Sequence, residues 1–236
     1  MNRKIWKALG IAVCMLALAA PRAMAARYEV GMGDPFIKFG DAVEAINQSG
    51  DTENEIVLME NITLGGNYIN YILTNDKTTT TKTTTIKGEG HKISIKSKAE
   101  IKVEGEKTVL NLGANGYDKT LTIDGDTTAA FIVVSGEATA NMYENVTLQN
   151  RQQVDQACVV LEENSVFNMH GGVIQNCKGK YGGVSLKNGS RFIMEGGTIS
   201  ECEANAGGGL YADNSTVTIK DGTISGCNTI SHLKYR

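Results

Sequence analysis

The chain reads FIMEGGTISEC from Phe192 to Cys202, and a near copy stands on each side. FNMHGGVIQNC runs from Phe167 to Cys177, and VTIKDGTISGC from Val217 to Cys227. At a shift of 25 residues the apolar positions coincide: Phe167, Phe192 and Val217; Met169, Met194 and Ile219; Ile174, Ile199 and Ile224; Cys177, Cys202 and Cys227. Gly172, Gly197 and Gly222 return in the same frame. Val159 and Leu161 match Val184 and Leu186 and, with one residue of slippage, Leu210 and Ala212. Further back the frame weakens to Leu148 and Ile123.

A fixed period of this size marks an array of like units. Within a unit, VSL, RFIM and TIS alternate over a few positions, as half-buried strands do. KNGS, DNS and DG separate them and are turn signals. No unit has room for a crossover helix. Parallel strands joined without helices leave one solution, a parallel β-helix in which each repeat is one turn of the coil. Equivalent side chains then stack about 4.8 Å apart along the axis. Leucine-rich repeats, the rival solenoid, need a Leu/Asn signature that this chain lacks. The expected fold is all-β, a parallel β-helix of six to seven turns with a short N-terminal capping helix.

Residues 1–25 read as a signal peptide. Arg3, Lys4 and Lys7 make a basic start, Ala8 to Ala20 is an apolar run of 13, and Ala23-Met24-Ala25 is a small-x-small cleavage pattern. That run is too short to span a bilayer, and no second one follows. The whole chain holds 23 basic and 26 acidic residues. The signal takes four of the basic ones (Arg3, Lys4, Lys7, Arg22) and no acid, so the rest stands at 19 against 26, net −7. An acidic chain without a basic stripe is a poor partner for nucleic acid.

Residues 26–54 are expected to form an N-terminal cap and 55–236 the β-helix. FGDAVEAINQSG (39–50) reads as a helix, with Asp41 and Glu44 as a capping box and Phe39, Val43 and Ile46 on one face. EIVLMENITL (55–64) reads as the first strands. A solenoid end exposes apolar interior, and this helix is placed to cover it. The far end stops at NTISHLKYR, part-way through a turn, so the array is expected to be incomplete, with further repeats or a partner over the open end. KTTTTKTTTIKGEG (77–90) reads as a solvated Thr-rich edge and loop, since the TxT pair of an ice-binding array does not recur. The interval from Ile86 to Ile123 is 37 residues, which implies an insertion near 98–118.

DAVEAI…EIVLMENITL, TTTIKGEGHKISI, GGVSLKNGSRFIMEGGTISEC and GGGLYADNSTVTIKDGTISGC together resemble the pectin-lyase-like right-handed parallel β-helix superfamily. The nearest likeness is to its secreted, repeat-bearing branch of bacterial surface proteins, adhesins and polymorphic outer-membrane proteins. The resemblance spans most of residues 36–230. It implies the right-handed sense, a cell-surface or outer-membrane location, and no single activity. GGVI (171–174) is similar to a Gly-Gly-Ala-Ile motif of the polymorphic proteins, but their accompanying Phe-x-x-Asn is not clear here and no autotransporter barrel follows.

Enzymes of that fold carry acids on the outward positions of one strand column. With Ile123, Leu148, Ile174, Ile199 and Ile224 inward, the outward followers are Asp124, Gln149, Gln175, Ser200 and Ser225, and the outward leaders are Thr122, Thr147, Val173, Thr198 and Thr223. One acid in ten positions is too few for a Ca²⁺-assisted lyase, because Ca²⁺ takes six to eight oxygens. A hydrolase needs a carboxylate pair. The Asn-Thr-Asp, Asp-pair, Gly-His-Gly and Arg-Ile-Lys motifs of polygalacturonases are missing. Asp118, Asp124 and Asp126 read as solvated turn residues beside Gly125, and His91, His170 and His232 as turn or surface residues. No catalytic residue, cofactor or metal is expected; Ca²⁺ enters only under a lyase alternative. Asp124, Gln149, Gln175, Thr198, Ser200 and Ser225 are a candidate ligand-facing surface for a polysaccharide or for a host or envelope protein. Tyr181 and Tyr211, out of strict register, add a candidate stacking platform for a sugar.

Four cysteines follow the signal and allow three pairings. Cys177, Cys202 and Cys227 share one position on successive turns, so their Cβ vectors run parallel, which suits a bridge poorly. A buried thiol column is expected over a Cys177–Cys202 bridge, and in-line thiols suit tetrahedral Zn²⁺ badly. The functional expectation is a secreted, non-catalytic, adhesin-like surface protein. A polysaccharide lyase or glycoside hydrolase, or the front part of one whose catalytic turns lie beyond Arg236, is the alternative.

Overall fold

The structure, a computed structural model, describes residues 25–32, 35–65, 70–152 and 156–229. The expected signal segment, apart from Ala25, lies outside these residues, as does His232. Three parallel sheets wrap one apolar core. Sheet 1 has eight strands, from Ala26–Val30 and Glu53–Leu58 to Thr216–Ile219. Sheet 2 has seven, from Ile62–Leu64 to Thr223–Ser225, and sheet 3 has six, from Asn70–Leu73 to Leu210–Ala212. A fourth, three-stranded ladder of Lys178–Gly179, Glu203–Ala204 and Asn228–Thr229 fills the corner between sheets 2 and 3 in the last turns. The chain passes through sheets 1, 2 and 3 in order and pairs each strand with its equivalent one turn on. The fold is a right-handed parallel β-solenoid of about eight turns with one short helix near its start.

The rungs are set by the inward side chains. On sheet 2, Ile123, Leu148, Ile174, Ile199 and Ile224 are successive register partners. On sheet 1 the column runs Ile56, Ile86, Leu112, Met142, Met169, Met194, Ile219. Phe167 and Phe192 stack in the same sheet with ring centroids 5.7 Å apart. A slip of one residue would turn a strand's whole apolar set outward, so the register is held while the corner loops vary in length.

That freedom of the corners explains two corrections. Ile86 belongs to sheet 1, whereas Ile123 belongs to sheet 2 in a column with Ile62 and Ile93, so the 37-residue interval compares different faces. Residues 65–120 contain whole turns with longer corners, not an insertion, and the strand Ala26–Val30 adds a rung ahead of the expected first strands. The stretch 77–90 is not simply an edge and loop either. Lys82–Lys87 is an interior strand of sheet 1, and Lys82 and Thr84 point inward and are buried.

The helix Phe39–Gln48 covers the start of the coil with Phe39, Ala42, Val43 and Ile46, and Phe39 meets Tyr71 edge-on at 5.4 Å. The expected capping box does not form. Lys38 is the N-cap, it has no side-chain cap bond, and Glu44 instead accepts from Gln48 Nε2 at 3.0 Å. The other end of the helix is closed from below. Lys82 Nζ donates to the carbonyls of Ile46 at 2.8 Å and Ser49 at 2.9 Å, placing a cation at the negative end of the helix dipole.

Two corner devices recur or stand out. Gly172, Gly197 and Gly222 have φ of +82°, +85° and +108°, and a Cβ on Gly197 would lie 2.6 Å from the Gly172 carbonyl oxygen. Only glycine meets both conditions at low cost. At the corner after Val146–Gln149, the buried Arg151 donates from Nε to Ala129 O at 2.8 Å. Its Nη1 donates to Gln156 O at 2.8 Å and Lys178 O at 2.7 Å, and its Nη2 to Thr128 O at 3.1 Å. One guanidinium therefore ties the corner segments of adjacent turns.

Two stability predictions follow from this packing. Ile199 is fully buried and Ile224, its partner on the last described turn, is 38% exposed. Ile199→Ala is expected to cost about 2–5 kcal/mol and Ile224→Ala about 1 kcal/mol or less, read from urea unfolding. Arg151→Ala strands several buried carbonyls at once and is expected to cost at least about 3 kcal/mol by the same measurement.

Candidate functional site

Each sheet presents a different outer face. On sheet 2, Asp124, Gln149, Gln175, Ser200 and Ser225 form one outward column, and Thr122, Thr147, Val173, Thr198 and Thr223 the other. Asp124 is held by Lys92 Nζ at 3.2 Å and by the Ser94 hydroxyl, which donates at 2.9 Å. Gln175 Nε2 donates to Gln149 Oε1 at 2.9 Å. The one acid of this face is thus engaged by its neighbours. Among the described residues no group of three or more His, Cys, Asp or Glu side chains is arranged to hold a metal, so Asp118, Asp124 and Asp126 do not converge on one.

Sheet 1 carries an amide ladder. Asn168 Nδ2 donates to Asn141 Oδ1 at 2.8 Å, Asn141 Nδ2 to Asn111 Oδ1 at 2.8 Å, and Asn111 Nδ2 to the Thr85 hydroxyl at 3.3 Å. The signal was present in TVLNL, TANM and VFNM, but turns longer than 25 residues hide it from an alignment at that shift. At the corner between sheets 1 and 2, successive rungs hold Tyr143, His170, Glu195 and Lys220. Tyr143 stacks on His170 at 5.1 Å, His170 Nδ1 lies 2.7 Å from Glu195 Oε2, and Lys220 Nζ lies 2.7 Å from Glu195 Oε1. The Lys220 hydrogen bond, then the His170 one, holds the Glu195 carboxyl below its ordinary value.

Sheet 3 differs from both. Its outward column runs Lys102, Val133, Val160, Ser185, Tyr211. Val133 and Val160 join Ala130, Ala157 and Tyr181 in a small apolar cluster outside the main core. A cleft of about 310 Å³ opens there, floored by Ala130, Val133 and Val160 and edged by Glu100, Lys102, Gln156 and Glu162. Burial raises the Glu100 carboxyl, Lys102 opposes the rise, and the Glu162 charge adds to it. Neither acid stands in the sheet 2 columns, where the repeat makes outward positions legible. Glu100 and Glu162 lie 62 residues apart on different turns, and nothing local to either marks the other as its neighbour.

Tyr181 and Tyr211 come together despite the broken register, with centroids 4.1 Å apart and planes at 24°. Lys180 Nζ and Lys187 Nζ lie 5.4 Å and 5.3 Å from the Tyr181 ring centre. Tyr181 is buried in this stack, so the accessible aromatic surface belongs to Tyr211. The pair closes one end of the apolar strip along sheet 3.

The Glu195 ladder has a definite pH sign. Its folded-state pKa is depressed, so its stabilisation is present above the ordinary carboxylate value of about 4.3 and fades as pH falls through the lower folded value. The urea midpoint is expected to drop more between about pH 5 and pH 3 in the wild type than in Glu195→Gln.

Comparison with protein-family models, with curated proteins and with solved structures finds no match for this chain. The fold described above, a parallel β-helix, is therefore what identifies its class.

Proposed function

We propose that the chain is a secreted, surface-held protein of the pectin-lyase-like β-helix kind, adhesin-like, which binds a polysaccharide along the outer face of sheet 3 without cleaving it. The sheet 3 cleft carries this reading. A sugar ring has an apolar face and a rim of hydroxyls, and the cleft pairs an apolar floor (Ala130, Val133, Val160) with an edge of Glu100, Lys102, Gln156 and Glu162. Tyr211 extends the apolar strip at one end. The amides of sheet 1 and of the Gln149–Gln175 pair bond chiefly to one another, which leaves them less to offer a ligand. The sheet 2 column from Asp124 to Ser225 is the second candidate face. The basic-apolar-small pattern of residues 1–25 supports export to the cell surface.

A hydrolytic reading has one observation in its favour. Glu100, raised by burial, and Glu162 line the same cleft, and glycoside hydrolysis uses two carboxyl groups as acid and base. A Ca²⁺-dependent lyase is supported less, because two carboxylates supply few of the oxygens Ca²⁺ takes.

The test is a glycan array together with soluble pectins and other plant and bacterial polysaccharides, scored for binding and for new reducing ends or unsaturated products. Binding without products is expected. Tyr211→Ala and Glu162→Gln are each expected to weaken it about tenfold, roughly 1.4 kcal/mol, while Gln149→Ala with Gln175→Ala leaves it unchanged. Binding lost only in the Gln149/Gln175 variant would move the site to sheet 2. Turnover abolished by Glu100→Gln would replace the adhesin reading with the hydrolase.

A further inference from the structure

The four described cysteines, Cys158, Cys177, Cys202 and Cys227, are drawn unbridged in the structure, so which of them can pair is a question of geometry. Cys177, Cys202 and Cys227 are stacked equivalents, because their followers Lys178, Glu203 and Asn228 are successive register partners. They also share one orientation. Each Sγ lies near the carbonyl oxygen two residues back: 3.3 Å from Gln175 O, 3.2 Å from Ser200 O and 3.4 Å from Ser225 O. Side chains that leave the backbone in parallel do not face one another, so a bridge up this column needs two of them to turn away from that arrangement.

Cys158 approaches the column from a different direction. It precedes Val159 at the start of a sheet 3 strand, where Gly183 and Gly209 stand on the next two turns. The pairs Cys158 with Cys177, Gly183 with Cys202, and Gly209 with Cys227 are the same relation repeated up the coil. The glycines measure that relation. A Cβ built on Gly183 lies 3.6 Å from Cys202 Sγ, and one on Gly209 lies 3.2 Å from Cys227 Sγ and 3.4 Å from Cys227 Cβ. Bridged cysteines have Cβ atoms about 3.5–4.5 Å apart. The position that is glycine in two turns and cysteine in one therefore faces the cysteine column across the corner at bridging separation.

We infer that Cys158 and Cys177 form a disulfide that staples sheet 3 of one turn to the corner of the next, leaving Cys202 and Cys227 as thiols. Formation requires an oxidant of the disulfide class. Two thiol hydrogens and two electrons pass from Cys158 and Cys177 to a small-molecule or protein disulfide, which leaves as two thiols while the Sγ–Sγ bond forms. Both residues are buried, and burial pushes the Cys177 thiol well above its ordinary pKa, so the exchange belongs to the folding chain, before the corner closes.

The experiment refolds the full chain from urea in a reduced/oxidised glutathione couple. Thiols are then trapped with N-ethylmaleimide after unfolding in urea, without reduction, and the peptides are mapped by mass spectrometry. A Cys158–Cys177 cross-linked peptide is expected, with maleimide on Cys202 and Cys227. Dithiothreitol is expected to lower the urea midpoint of the oxidised wild type and to leave Cys158→Ala unchanged. That variant fills a position where the next two turns have only glycine, so it is expected to fold. Four labelled thiols, or a bridge joining Cys177 to Cys202 or Cys202 to Cys227, would overturn the assignment.

Discussion

Everything in this molecule depends on the rung. A strand of one turn hydrogen-bonds to its equivalent in the next, and that spacing places each inward side chain against its counterpart. The interior becomes a set of columns: Met142, Met169 and Met194 on sheet 1, and Leu148, Ile174 and Ile199 on sheet 2. Contacts are between neighbouring turns, so stability is nearly a sum of local terms and the ends are the weak points. The helix Phe39–Gln48 and its Lys82 strut answer that weakness at the start of the coil.

The same geometry repeats on the outside, where it produces three unlike faces. Equivalent amides one rung apart reach each other, so Asn111, Asn141 and Asn168 form a ladder, as do Gln149 and Gln175. Unlike charges one rung apart also meet, as in Glu195 and Lys220, and His170 adds a hydrogen bond to the same carboxylate. Sheet 3 breaks the pattern with Val133 and Val160 outward, and a cleft with an apolar floor and a charged edge is the feature that a self-satisfied ladder cannot supply. The proposed ligand face and the proposed staple both lie beside sheet 3, the one on its outer side and the other at its corner.

Much of the fold was legible because the last turns are nearly identical in length. Phe167 and Phe192, Ile174 and Ile199, and Cys177 and Cys202 align at one shift, and the parallel β-helix with its inward and outward columns is read from them. The earlier turns blurred because their corners differ in length. Loop closure varies slowly with length, so nothing penalises a longer corner, and a fixed-shift alignment then pairs residues from different faces, as it did Ile86 with Ile123. The capping box at Asp41 and Glu44 failed for a different reason. Its residue types fit the pattern, but the helix begins at Phe39 with Lys38 as its N-cap, so Asp41 stands inside the first turn and not at the cap.

The sequence by itself determined the class of coil, the inward columns and the placing of the three stacked cysteines, because these follow from a period and an alternation that any stretch of chain displays locally. Only the tertiary structure decided which groups come together across faces and corners. Glu100 and Glu162 along one cleft, Tyr181 with Tyr211, Arg151 with four carbonyls, and Cys158 with the cysteine column are separated along the chain by turns of unequal length. Their meeting depends on how far each corner carries the backbone around the axis, and no single repeat contains that information.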